Sequence, residues 1–151
     1  MKTICIVPCG KKKIWKKYPD AGPTPAKDVY IGTFAKKCQD YASRFYGESY
    51  LILSAKFGFL FPYDFVPGDY NVTFTKPSTH PITIPDLIQI AQDKQLFQFE
   101  SFVIIAGRVY SEIARQVFPG KIINTPLASC RDMFEMIKLM QQAIKEGQPI
   151  H

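Results

Sequence analysis

The sequence has no long apolar run. Its longest uninterrupted stretches, such as residues 102–107, fall far short of the roughly 20 apolar residues a membrane-crossing helix needs, so no membrane partner is expected. Histidine is scarce, with two in 151 residues, and there are four cysteines and one tryptophan. Cysteines at 5, 9, 38 and 130 are too few and too scattered for a disulfide scaffold in a chain of this size. Four residues of extended chain set Cys5 and Cys9 roughly 13 Å apart, too far to share one ion. His80 sits in a Pro-flanked loop and His151 ends the chain, so the ligand clustering that zinc or an iron–sulfur centre requires is missing. Neither a metal nor another cofactor is expected. The N-terminus lacks the pattern of a secretory signal, which gives a cytoplasmic expectation. Acidic residues are the minority: 13 Asp plus Glu against 19 Lys plus Arg, a formal charge of +6.

The remaining composition describes a folded protein. Apolar residues make up 46% and there are 21 aromatics, too many for disorder. The length suits a single domain over residues 1–151. Residues 1–60 carry 11 basic and 4 acidic side chains, whereas residues 61–151 carry 8 and 9. The excess is concentrated in Lys11-Lys12-Lys13-Ile14-Trp15-Lys16-Lys17-Tyr18. Such a run attracts phosphates, and its aromatics suit nucleobases. Lys13, Trp15, Lys16 and Lys17 are therefore candidate nucleic-acid contacts. A solvated loop explains the run equally well.

Strand and helix patterns alternate. Ile4–Pro8, Tyr50–Ser54, Phe102–Gly107 and Lys121–Pro126 read as strands. Helical spacing covers Asp28–Tyr46, Thr83–Phe97 and Tyr110–Phe118, and a last helix is capped by Ser129. Lys56–Pro81 reads as a long aromatic-rich loop that packs on the body and shapes a pocket. Alternation predicts a three-layer α/β sandwich with four parallel strands in the order 2-1-3-4.

Ligands of such sheets sit at the carboxyl ends of the strands. The segments there supply Gly10, Lys11, Lys12, Ser54, Lys56, Gly58, Gly107, Arg108, Tyr110 and Arg131 as candidate ligand-binding residues, and a phosphate-bearing ligand follows from their charge. None forms a Walker loop or a dinucleotide fingerprint. Tyr30 and Tyr70 suit stacking on a base as well as core packing, and Asn71 joins them as a candidate. Asp64 and Asp69 are candidate general bases, although Asp beside Pro and Gly also organises turns. Cys9, before Gly and three Lys, is a candidate thiolate or a small residue closing a strand. Ser54 has no histidine partner, which argues against a Ser-His triad.

Asp28-Val29-Tyr30-Ile31-Gly32, the block Leu53-Ser54-Ala55-Lys56-Phe57-Gly58-Phe59-Leu60-Phe61-Pro62-Tyr63-Asp64, and Pro67 with Tyr70 resemble the signature of the YaaA family. The Cys9-to-Lys13 run, the Ala106-Gly107-x-x-Tyr110 turn and Pro126-Leu127 are similar to its short single-domain relatives. The resemblance implies DNA binding and protection from peroxide damage, and a fold distantly related to uracil-DNA glycosylases. The chain departs from the pattern where Pro67-Gly68-Asp69-Tyr70 splits a Pro-Tyr pair. Asn71 stands where relatives often have Asp, and Cys130-Arg131 replace a glycosylase-type His. The functional expectation is binding of nucleic acid, a nucleobase or a nucleotide, with action on a base or N-glycosidic bond as its enzymatic version. The alternative is a non-catalytic sensor of a small phosphorylated ligand.

Overall fold

A computed structural model describes residues 2–151. Its main sheet pairs β1 (Thr3–Pro8) with β3 (Tyr50–Ser54) on one side and β6 (Ser101–Ile104) on the other, and β7 (Ile122–Asn124) lies beyond β6. These four strands are parallel, with registers such as Val7 opposite Ile52 and Cys5 opposite Val103. Their order is the expected 2-1-3-4. A fifth strand corrects the expected count: β4 (Gly58–Leu60) folds back antiparallel onto β3. The Leu-Ser-Ala-Lys-Phe-Gly block makes this tight return. Ser54 Oγ accepts the amides of Lys56 and Phe57 at 3.2 and 3.0 Å. Gly58 takes φ +76, and a Cβ there would stand 2.7 Å from Ile90 Cδ1, so neither its backbone nor its surroundings accept a side chain.

The buried strands alternate faces, and helices cover both. Cys5, Val7, Ile52, Val103 and Ile105 face α3 (Thr33–Tyr46) and α6 (Met133–Glu146). Ile4, Ile6, Leu51, Leu53, Phe102 and Ile104 face α4 (Ile84–Asp93) and α5 (Arg108–Val117). This is a three-layer sandwich around a mostly parallel sheet, as period-2 apolar strands between amphipathic helices require. Two short helices, α1 (Ile14–Lys17) and α2 (Ala26–Val29), precede α3. The helical pattern read from Asp28 is thus two helices, divided around Gly32, the N-cap of α3. A small antiparallel pair, β2 (Thr24–Pro25) with β5 (Phe65–Val66), ties the proline-rich segment to the long loop. Asp132 caps α6 by accepting the Glu135 amide at 2.8 Å, so the cap lies three residues after the expected Ser129. No helix among the described residues is long and apolar enough to cross a membrane.

Candidate functional site

The parallel order reverses at β1, whose neighbours β3 and β6 lead to connections on opposite faces. A crevice forms at such a point beyond the strand ends. Cys9 follows β1 directly, and its amide donates to the Leu53 carbonyl at 3.2 Å. Its Sγ lies 3.5 Å from Tyr110 Oη, brought in by the first turn of α5. Gly10, Lys11 and Lys13 complete one wall, and Asn71, Thr73 and Lys76 of the long loop form the other. Together they enclose a cavity of about 300 Å3 with three lysines and no carboxylate in its lining. Thr79 braces the loop wall, since its hydroxyl donates to the Lys76 carbonyl at 2.7 Å, has the Thr73 carbonyl within reach at 3.0 Å, and accepts the Thr73 amide.

Lys13 departs most from the sequence reading. Its side chain is only 4% exposed, so it belongs to the cavity wall and not to an outer nucleic-acid surface. Its backbone bridges that of Tyr30, which draws it inward. The ammonium forms no salt bridge among the described residues. It donates to the Lys11 carbonyl at 3.2 Å and lies 4.3 Å above the Tyr70 ring. A cation over a ring face is attracted by the ring quadrupole, but that does not replace hydration or a counter-ion. Burial therefore lowers its pKa from the usual lysine value, with partial opposition from Cys9 and Asp69.

Beneath Lys13 runs a buried chain of hydroxyls. Ser54 Oγ, already accepting two amides, shares a hydrogen bond with Tyr70 Oη at 2.8 Å, and Tyr70 Oη lies 2.5 Å from Tyr30 Oη. With one proton on each hydroxyl, the chain can run from Tyr30 through Tyr70 to Ser54 or in reverse, and no buried side-chain polar atom among the described residues lacks a partner. Burial, with the Cys9 thiol next in effect, pushes the Tyr70 pKa up to about 12. Burial and then Tyr70 raise that of Tyr30 further. Tyr110 is likewise raised, by burial and then by Cys9. These groups stay protonated across the physiological range and act as donors.

The other candidates are distributed differently. Gly107 and Arg108 line a separate cavity of about 230 Å3 with Arg115, Thr125 and Cys130. Lys56 borders an open groove with His80 and Asp86, and its Nζ lies 5.7 Å from the Tyr70 ring centre. The four strand-end segments therefore do not enclose one cavity; the turn into α5 and the return into β4 divide the space. Gly58 packs beneath α4. Asp64 is a turn residue: its carboxylate accepts the Phe61 amide at 2.7 Å and pairs with Lys94 at 2.5 Å, outside the cavity lining. Asp69 accepts the Tyr70 amide at 2.9 Å and also lies outside the lining. Arg131 is exposed and pairs with Glu135. Trp15 is buried, with its indole donating to the Gly22 carbonyl at 2.9 Å, so it cannot stack on a base. Lys11, Lys12, Lys16 and Lys17 are exposed. Sequence reasoning missed Thr73 and Lys76, whose positions depend on how the loop folds back. Loop length was the signal that such residues existed.

Residues 4–137, nearly the whole of this architecture and every cavity residue named above, match the model of a family of unknown function, DUF6884. The chain belongs to this family. Similar to it is the uncharacterized protein YfjM of Bacillus subtilis strain 168, 39% identical over 147 residues and covering 97% of each chain. No solved structure matches. The resemblance to the YaaA family is overturned, because the matches are to DUF6884 and YfjM. They indicate neither YaaA membership nor a glycosylase-like fold. The shared-looking block is accounted for locally by the Ser54-bridged return and the left-handed Gly58.

Proposed function

We propose that this DUF6884 protein binds a small phosphorylated ligand, a nucleotide or its sugar-phosphate part, in the cavity between Lys13 and the 71–76 loop. One observation carries the reading: the cavity is lined by Lys11, Lys13 and Lys76, with no carboxylate in the lining. Cations in a concave, partly dehydrated site focus field and favour an anion. Asn71, Thr73 and Tyr110 add neutral hydrogen-bonding groups suited to phosphate or sugar oxygens. The volume, about 300 Å3, lies at the small end for ligand sites, which favours a mononucleotide or less. Asp64 and Asp69 lie outside the lining, so a carboxylate-based attack on a glycosidic bond lacks its base there.

The test is calorimetric titration with AMP, adenosine and inorganic phosphate at low salt. AMP and phosphate should bind and adenosine should not. The double variant Lys11→Glu, Lys76→Glu should weaken AMP binding by about a hundredfold, taking about 1.4 kcal/mol per charge-assisted contact. Equal binding of AMP and adenosine would contradict the proposal. A second reading, nucleic-acid binding, is favoured by the exposure of Lys11, Lys12, Lys16 and Lys17 on one short segment. Changing Lys16 and Lys17 to Glu should then lower the salt slope of oligonucleotide binding by roughly 0.7–0.9 per lost phosphate contact.

A further inference from the structure

We propose that Lys13 is a nucleophilic amine that condenses with the carbonyl carbon of a small phosphorylated aldehyde or ketone, assisted by the Cys9–Tyr110 pair. This rests on reading the cavity as a phosphate site and names the substrate class for it. Three observations meet in one place. Lys13 is buried, lines the cavity and forms no salt bridge among the described residues. An amine so placed is the kind that loses its proton readily enough to attack a carbonyl. Burial lowers its pKa in the direction this requires. Lys11 and Lys76 remain for the phosphate, because they line the same cavity from its two walls.

The third observation is a count of protons. Cys9 Sγ and Tyr110 Oη share one hydrogen bond at 3.5 Å, yet thiol and phenol carry one proton each. Whichever donates, the other proton is available to a ligand, and both residues line the cavity with Lys13. In the reaction, the Nζ lone pair forms a bond to the carbonyl carbon, and the carbonyl π pair moves onto oxygen. That oxygen takes one proton from the Cys9–Tyr110 pair and a second from the nitrogen, leaving as water, while the nitrogen's other proton returns to the pair. The products are an imine and one water, with no oxidant or reductant needed. A carbonyl compound needs such a nucleophile beside such a donor; phosphate binding alone uses neither.

The experiment treats the intact chain with glycolaldehyde phosphate and sodium cyanoborohydride, then locates the adduct by peptide mass spectrometry. The expected result is a single reduced adduct on Lys13, gaining the aldehyde less one water plus two hydrogens. Lys13→Arg, whose guanidinium does not form an imine, should abolish the adduct, and inorganic phosphate binding is measured on the unaltered chain. The double variant Cys9→Ala, Tyr110→Phe should slow labelling by about a hundredfold, the usual contribution of a positioned acid. Modification spread evenly over Lys11, Lys12, Lys16 and Lys17, or confined to Cys9, would overturn the proposal. So would phosphate binding with no Lys13 adduct, which leaves the phosphate reading intact. Labelling of Lys13 by glycolaldehyde as fast as by its phosphate would support the nucleophile and overturn the phosphate reading. Peptide mapping of the unaltered chain decides the outcome even if a variant fails to fold.

Discussion

The two faces of the sheet are built from different materials. Against α4 and α5 the buried hydrophobic cluster holds no tyrosine, with Phe102 stacked on Phe118 at 4.0 Å and Phe59 and Phe97 packed around them. Against α3 and α6 it contains four tyrosines, one tryptophan and two fully buried cysteines. There Tyr50 donates to Gln39, Tyr41 accepts the Ile150 amide, and Tyr30, Tyr70 and Ser54 form their chain. Each buried hydroxyl requires a partner, which makes such a core costly to assemble and specific in arrangement. The dry face stabilises by area and packing. The tyrosine face sets Cys9 at the cavity by the β1 end, while Tyr110 reaches the same cavity from α5.

The sharpest way to break the contrast is truncation on the dry face. Phe118→Ala removes a ring stacked on Phe102 and should cost roughly 3–5 kcal/mol, read from urea denaturation. Binding of AMP to the folded fraction should remain at the parent affinity, because Phe118 lines no part of the cavity. A large loss of affinity in that fraction would show that the two faces are coupled.

Alkaline titration addresses the other face. Tyr70 has a folded pKa of about 12 against an ordinary 10, so the folded state holds its proton more tightly. Its contribution is fully present below pH 10 and is lost as pH rises through about 12. Over that window each raised tyrosine steepens the decline by roughly 1.4 kcal/mol per pH unit. Tyr70→Phe should cost about 1 kcal/mol at neutral pH and make the alkaline decline shallower. Tyr30 and Tyr110 should still leave a residual slope, since both are raised as well. An unchanged alkaline limb would contradict the assignment.

The smallest effect belongs to a residue outside both cores. Asp64→Asn keeps much of the turn while removing the charge paired with Lys94, and both side chains are partly exposed. A loss of about 1 kcal/mol in thermal or urea unfolding is expected, with AMP affinity unchanged. A selective loss of binding would restore Asp64 as a site residue.

The parallel order was legible because strand–helix alternation and right-handed crossovers leave few arrangements. Strand β4 was not, because Gly58–Leu60 is a three-residue return inside a stretch punctuated by Pro and Gly. That Cys9, Gly10, Lys11, Asn71 and Tyr110 lie near one another was legible from their places after strands or in the long loop, and they line one cavity. Lys13 was read as a nucleic-acid contact on an outer run, and its burial was not legible. Consecutive lysines look alike in sequence, and the backbone bridge to Tyr30 that turns this one inward is a long-range contact. Trp15 misled for the same reason: its partner, the Gly22 carbonyl, lies across the proline-rich turn.

Amide chemical shifts during titration with AMP test the central claim most directly. The account predicts saturable shifts confined to residues 9–13, 71–76 and the first turn of α5, abolished by Lys11→Glu with Lys76→Glu. Absence of saturable shifts there, or shifts confined to the exposed Lys16–Lys17 end of α1, would contradict it.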